Sequence, residues 1–344
     1  MKVKHIYWFA YFNISEPSVR YRASYPLKFL KEKEGVNYSI VYPGYDFRSL
    51  FQFALVFFEA LFFRKSNSII VFQKIYTHGI YATALKMLLF FRPNNTLYDI
   101  DDAEYTRRPA ETIQYFMKHC SACSAGSQAL VEYISNFNEK VFLLTSPVID
   151  HGVNVSKKEG IVRVGWIGYY GAHRQNLNDL FFPALTKIDF PIRLKLLGGA
   201  TVADVQEVKC YFESNRNVTI EMPLNIDWLD EQSVYESMAT FDLGVSPLID
   251  TEFNRGKSAF KLKQCLSCGV PVLASGVGEN KRFLKDGENG YICNTPQEYL
   301  DKLQLIIHDH SGLYHKLSSN AKLSFHEFSV SKYSDVFLNY FNED

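Results

Sequence analysis

The sequence lacks an excess of charge of either sign. Its 37 lysines and arginines balance 37 aspartates and glutamates, a formal net charge of +0, which argues against a nucleic-acid protein relying on a global phosphate-attracting field. Local basic patches stay open. It also lacks a recognisable secretion signal: the first apolar stretch, HIYWFAYF, is short and aromatic, and Asn13 and Glu16 follow it without a small-residue cleavage site. The expected location is therefore the cytoplasm. No run is clean enough to read as a membrane-spanning helix. Phe47 to Phe63, FRSLFQFALVFFEALFF, is intensely apolar, but Gln52 and Glu59 interrupt it and Arg64 and Lys65 follow it. Two readings fit this segment: a largely buried helix of a layered α/β domain, or a helix whose aromatic face also dips into a lipid interface. Leu88 to Phe91, flanked by Lys86 and Arg92, carries the same two readings.

Cysteine is scarce, with six in all. Cys120-x-x-Cys123 and Cys265-x-x-Cys268 each have half the spacing of a zinc site, but the pairs lie too far apart for a zinc ribbon and no histidines stand at finger spacing. Cys123 falls in a strand-like apolar run and Cys265 and Cys268 on a helical one, so buried reduced thiols are expected, with no metal and no disulfide.

What is present is a repeated alternation of strand and helix. At 344 residues and 47% hydrophobic content the chain exceeds what one core usually serves, so two domains are expected. KHIYWFAYF, YSIVYPG, SIIVFQK, TLYDID, CSACSAG and KVFLLTS read as strands, with helical patterns between them near 25–33, 47–63, 80–91, 110–118 and 128–135. After Asp150 the stretch HGVNVSKKEG is polar and aperiodic and reads as a linker. A second alternation follows: IVRVGWIG, IRLKLLGG, NVTIEMP, FDLGVSPL and VPVLAS as strands, with helices near 177–185, 202–212, 231–239 and from about Ser258 to Gly269, where Pro271 stops the last one. Such alternation predicts parallel, doubly wound sheets with ligands at the carboxyl ends of their strands. The expected architecture is two Rossmann-like domains facing a central cleft, residues 1–150 and 151–329, with 330–344 packing back on the first.

Three loops of the second domain follow strands. Gly168 to Arg174, with Gly171 and His173, combines two glycines with positive charge, although it is not a G-x-G-x-x-G fingerprint. Asp250 to Lys261 gathers Arg255, Gly256, Lys257 and Lys261 where a loop becomes a helix, and charge there favours an anion such as phosphate. Gly276 to Asn280, with Gly278 and Glu279, is a turn able to bring amides to a ligand. In the first domain Arg20 and Arg22 sit in the loop after the first strand, and Asp101 and Asp102 follow the strand TLYDI.

In order along the chain, the segments PSVRYRA, YDIDDAEY, CSAGSQALVEYI, KVFLLTSPVID, GWIGYYGAHRQNL, LKLLGG, YESMATFDLGVSPL, GKSAFKLKQCLSCGVPVLAS and LKDGENGYIC resemble those of GT-B fold glycosyltransferases similar to glycosyltransferase family 4, the group 1 enzymes. The resemblance covers nearly the whole length. It implies a hexosyl or related transferase that binds a nucleotide sugar mainly on the second domain and an acceptor on the first. It implies donor contacts from Gly168, Gly171, His173, Arg174, Asp250, Arg255, Gly256, Lys257, Lys261, Gln264, Gly278 and Glu279. Family members usually carry two glutamates eight positions apart, and here those positions hold Gly256 and Gln264. Lys257 and Lys261 look like compensation at the leaving diphosphate, and a neutral Gln264 amide can still bond a ribose hydroxyl.

Asp101 and Asp102 are the catalytic candidates, as general base or orienting group for the acceptor hydroxyl, or else caps of the segment that follows. The string D-I-D-D is not read as a metal site, since lysine and arginine already supply positive charge, so no metal and no cofactor are expected beyond the nucleotide-sugar co-substrate. Arg20 and Arg22 are placed to hold an anionic acceptor, such as a glycan on a polyprenyl diphosphate, or to reach the donor diphosphate. With a lipid-linked acceptor the Phe47–Phe63 helix becomes a membrane-facing surface, peripheral on the cytoplasmic face. The expected role is in surface polysaccharide biosynthesis, with no nucleic-acid partner. A sugar-nucleotide epimerase of GT-B shape, or a catalytically silent sugar-nucleotide or glycan-binding subunit, are the alternatives.

Overall fold

The computed structural model describes residues 2–44, 46–76, 79–155, 161–308 and 312–342. Of the expected linker, residues 156–160 lie outside the described residues. The chain folds into two compact units: Met1–Pro147 with Arg255–Ser258 and Phe328–Asp344, and Val148–Asn254 with Ala259–Glu327.

In the first unit six parallel strands run in the order β2-β1-β3-β4-β5-β6. They are β1 His5–Ala10, β2 Asn37–Val41, β3 Ser68–Gln73, β4 Thr96–Ile100, β5 Ala122–Ala125 and β6 Val141–Leu143. All six residues of β1 and of β3 are buried, which is why HIYWFA and SIIVFQ read as continuous apolar runs: helices cover both faces of the sheet. The second unit repeats the plan with order β12-β11-β10-β7-β8-β9. Its strands are β7 Val162–Tyr169, β8 Ile192–Gly199, β9 Val218–Glu221, β10 Leu243–Ser246, β11 Val272–Ala274 and β12 Gly290–Ile292. Both sheets are doubly wound, and the first three strands of the second half diverge at β7, so its ligand edge is the set of loops that follow β7, β10 and β11.

The core of the first unit is organised around a buried ion pair. Arg22 and Asp99 have fully buried side chains. The guanidinium donates Nε to Asp99 Oδ2 at 2.9 Å and Nη2 to Oδ1 at 2.5 Å, and its Nη1 reaches Leu144 O at 2.7 Å and Ser146 Oγ at 3.3 Å. Ser124 Oγ adds a bond to Asp99 Oδ1 at 2.6 Å. Burial opposes the charge on Arg22, but the Asp99 carboxylate outweighs it and holds the guanidinium above its ordinary pKa. The C-terminal helix, Val330–Asn342, joins the same core: Tyr333 donates its hydroxyl to Arg22 O at 2.9 Å, and Phe337 packs near Trp8.

Two segments expected as loops are helical. Backbone from Pro17 runs through a wider π turn at Arg20–Ser24 into the helix Tyr25–Glu34, with Pro17 favoured in a first turn because it has no N–H to satisfy. In the second unit Tyr170–Asn176 is helical and continues to Leu185.

Removing one partner of the Arg22–Asp99 pair leaves an uncompensated buried charge, so Arg22→Met is expected to cost about 3–5 kcal/mol in denaturant unfolding. The double change Arg22→Met with Asp99→Leu should recover part of that loss. Equal stability of Arg22→Met and the unaltered protein would contradict the pair's role.

Candidate functional site

In the second unit the ligand edge is built on one carboxamide. Asn176, the last residue of the helix that follows β7, is buried and accepts the Ile249 N–H on its Oδ1 at 2.8 Å. Asn254 Nδ2 donates to Ile249 O at 2.8 Å and lies 3.3 Å from the same Oδ1. A backbone donor therefore assigns the oxygen of Asn176, and its Nδ2 must face His173 Nδ1, 3.2 Å away. On the other side of the ring, Nε2 is 2.7 Å from Lys261 Nζ. An ammonium has donors only, so Lys261 donates to Nε2, and the shorter of the two ring contacts makes Nε2 the acceptor.

The backbone around this spot requires glycine at two places. Gly168 takes φ 149, and a Cβ on Gly198 would lie 2.4 Å from Gly168 O on the neighbouring strand. The Lys261 ammonium also lies 5.9 Å from the centre of the Trp166 ring, which favours the cation. The helix bearing Lys261, Phe260–Ser267, starts after Ala259, a buried residue at φ 56. A left-handed alanine costs on the order of 1 kcal/mol, and such strain gathers at functional sites. Ser275 closes the edge: its Oγ accepts the Leu248 N–H at 3.0 Å, tying the loop after β10 to the loop after β11.

At the carboxyl edge of the first sheet a second set of charges meets. Lys74, just past β3 at φ 53, lies between two carboxylates, 2.7 Å from Asp101 Oδ1 and 2.9 Å from Asp102 Oδ2. Burial opposes the Lys74 charge, but the two aspartates raise it well above its ordinary pKa. Burial lifts the Asp101 carboxyl above its usual range against the pull of Lys74. Asp102 keeps 27% of its side chain exposed and also has Lys257 Nζ at 3.7 Å from Oδ1, within the same unit. A base that is charged and reachable suits Asp102 better than the enclosed Asp101.

The expected site residues divide accordingly. Gly168, His173 and Lys261 come together as described. Gly171, His173 and Arg174 are on a helix and not in a loop. Arg174 is bound to Asp204, and its Nη1 lies 3.3 Å from Glu207, so its charge is already answered within the unit. Gln264 is buried on the same helix as Lys261, Glu279 is buried, Gly278 takes φ 54, and Asp250 and Arg255 lie exposed. Gly256 has no room for the family's glutamate: a Cβ there would lie 2.9 Å from Ala103 N. The expectation for Arg22 as an acceptor residue is corrected, since all of its donors face Asp99, Leu144 and Ser146 in the core. Arg20 is buried too and donates to Ile14 O at 3.2 Å and to Ser15 O. Asn176, Asn254 and Lys74 were not singled out by sequence, since the glycines and charges beside the two asparagines, in GWIGYYGAHRQNL and in the loop from Asp250, carried the signal there. Among the described residues no group of three or more His, Cys, Asp or Glu is placed to hold a metal ion.

Residues 162–309 match the family model of glycosyl transferases, group 1. No curated protein matches the chain by sequence. Among solved structures, HepE of Anabaena in complex with UDP aligns with a TM-score of 0.68 at 14% identity, covering 99% of this chain and 100% of that one. Sucrose-phosphate synthase from Thermosynechococcus elongatus aligns with a TM-score of 0.75 at 12% identity, covering 99% and 98%. The lipopolysaccharide outer core galactosyltransferase WaaB, in its apo form, aligns at 0.67 and 13% identity, covering 98% and 99%. The chain has the GT-B fold, and its residues 162–309 carry a group 1 glycosyl transferase domain.

The hydrogen-bond chain makes a prediction independent of any ligand. Long-range proton–nitrogen NMR of the histidine rings at neutral pH should show His173 with Nε2 unprotonated, and Lys261→Ala should remove that preference. A proton on Nε2 in the unaltered protein would overturn the assignment.

Proposed function

We propose that this enzyme moves a sugar from a uridine-diphosphate sugar to a hydroxyl of a glycan, carried on a polyprenyl diphosphate, in the building of a surface polysaccharide. The observation that carries the donor half is the convergence of His173 Nε2 and Lys261 Nζ at 2.7 Å. An oxygen of the leaving diphosphate takes the Lys261 ammonium from His173, whose Nε2 can then carry a proton and donate to the same oxygen, and the lysine charge meets the negative charge that grows as the bond from the anomeric carbon to the phosphate oxygen breaks. Support for uridine comes from HepE, whose crystals hold UDP and UDP-glucose.

For the acceptor half, the new bond forms between the acceptor oxygen and the anomeric carbon, and the hydroxyl proton passes to a carboxylate. Asp102 is the group for this step, and Lys74 keeps both aspartates in place. Gln264 takes the ribose side of the nucleotide as a neutral amide. In this reading the diphosphate charge is answered by lysine, and the nucleotide sugar is the one small molecule the reaction needs.

Lys261→Ala should weaken UDP binding by about 2 kcal/mol, roughly 30-fold, in isothermal titration. The same change should slow release of UDP from UDP-glucose incubated without acceptor. Unchanged affinity would remove Lys261 from the diphosphate site.

A further inference from the structure

Within the first unit, two neighbouring helices carry apolar side chains on the face turned away from the sheet. Helix Phe47–Phe62 buries Val56 and Ala60, and Phe53 packs inward on Phe9 at 6.2 Å and on Tyr81 of helix Ile80–Phe91 at 5.1 Å. On the other side Phe47 stacks on Phe51 at 6.1 Å and Phe58 on Phe62 at 5.9 Å, one helical turn apart. These rings are in water: Phe47 is 83% exposed and Phe63 77%, and on the second helix Ile80 is 91% and Phe90 73% exposed. Leu50, Phe51, Leu55, Phe58, Met87 and Phe91 are exposed as well. A core helix does not leave that many large side chains uncovered, and apolar patches on this scale mark a surface that meets something.

The charges around the patch say what that is. Between 46 and 92 the cations other than Lys74 are Arg48, Arg64, Lys65, Lys86 and Arg92, against the carboxylates of Asp46 and Glu59, with Lys65 paired to Glu59 at 3.1 Å; Lys74 is turned to Asp101 and Asp102. Arg64 and Arg92 gather at the carboxyl ends of the helices, where Arg64 Nη1 bonds Asn94 O at 2.7 Å and Arg92 Nε bonds Leu61 O at 2.6 Å. An aromatic face bordered by net positive charge complements an anionic lipid surface. A second copy of the chain would instead bring the same cations against one another. No helix among the described residues is long and apolar enough to cross a membrane, so the contact is one of lying on the surface.

We propose that this two-helix face docks the enzyme on an anionic phospholipid bilayer. In parallel βα units each helix starts at the carboxyl edge of its sheet. Phe47, Leu50, Phe51 and Ile80 therefore begin the apolar face on the edge where Lys74, Asp101 and Asp102 also lie. Docking there brings a lipid-borne substrate to the first unit without lifting it out of the membrane. The inference stands on the first unit alone and does not depend on which nucleotide the second unit takes.

The test is flotation of the full chain with vesicles of phosphatidylcholine alone or with phosphatidylglycerol added. The protein should float with the anionic vesicles and much less with the neutral ones, and salt should weaken the difference. The triple variant Phe51→Ser, Phe58→Ser and Phe90→Ser changes only exposed residues and should lower partitioning about tenfold or more. Its thermal shift with UDP should equal that of the unaltered protein, which separates lost docking from lost folding. Failure of the unaltered protein to float with anionic vesicles would overturn the proposal, as would equal flotation of the variant. So would light scattering that shows a dimer in solution converted to monomer by the same three changes, because the face would then cover a second copy.

Discussion

The Asn176 carboxamide ties the helix after β7 to the loop after β10. Its oxygen takes the backbone of the loop after β10, and its nitrogen faces His173 on the helix after β7. The other ring nitrogen of His173 takes the Lys261 ammonium, so one chain of hydrogen bonds runs from that loop to the helix that carries Lys261. Gly168 leaves the space through which the lysine stem passes, and the strained Ala259 sets the start of the helix that carries it.

The first unit uses buried charge differently. Arg22 and Asp99 tie the segment after β1 to β4 and, through Leu144 and Tyr333, to the end of the chain. That pair spends its whole bonding capacity on structure. A few residues further on, Lys74 is shared by Asp101 and Asp102, and of the two carboxylates Asp102 retains an open side. One strand end thus supplies a fully buried structural aspartate at 99 and a partly exposed one at 102, to which the proposed reaction assigns the acceptor proton.

Much of the fold was legible in the sequence because parallel βα units write it plainly. Buried strands such as HIYWFA and SIIVFQ are uninterrupted apolar runs, and each is followed by a helical pattern and a turn. The segments at Pro17 and Tyr170 read as loops because glycines, serines and arginines dominate them, while tertiary packing makes them helical. Arg22 illustrates the limit for the site. An arginine after a first strand looks the same in sequence whether it faces a ligand or a buried carboxylate, and its partner lies 77 positions away. Asn176, Asn254 and Lys74 acquire their roles only when distant loops meet, so no local pattern announces them. The family's glutamate at position 256 is absent for a reason visible in space, since Ala103 fills the volume. The exposure of the Phe47–Phe62 helix was likewise open until its packed and bare faces could be told apart.

The central claim is that His173 and Lys261 form one anion site for the donor's diphosphate. A crystal structure of the chain grown with UDP tests it most directly. The account predicts a phosphate oxygen within hydrogen-bond distance of both His173 Nε2 and Lys261 Nζ, moving the two nitrogens apart from their present 2.7 Å. UDP bound with its phosphates elsewhere, and the two nitrogens still in contact, would contradict it.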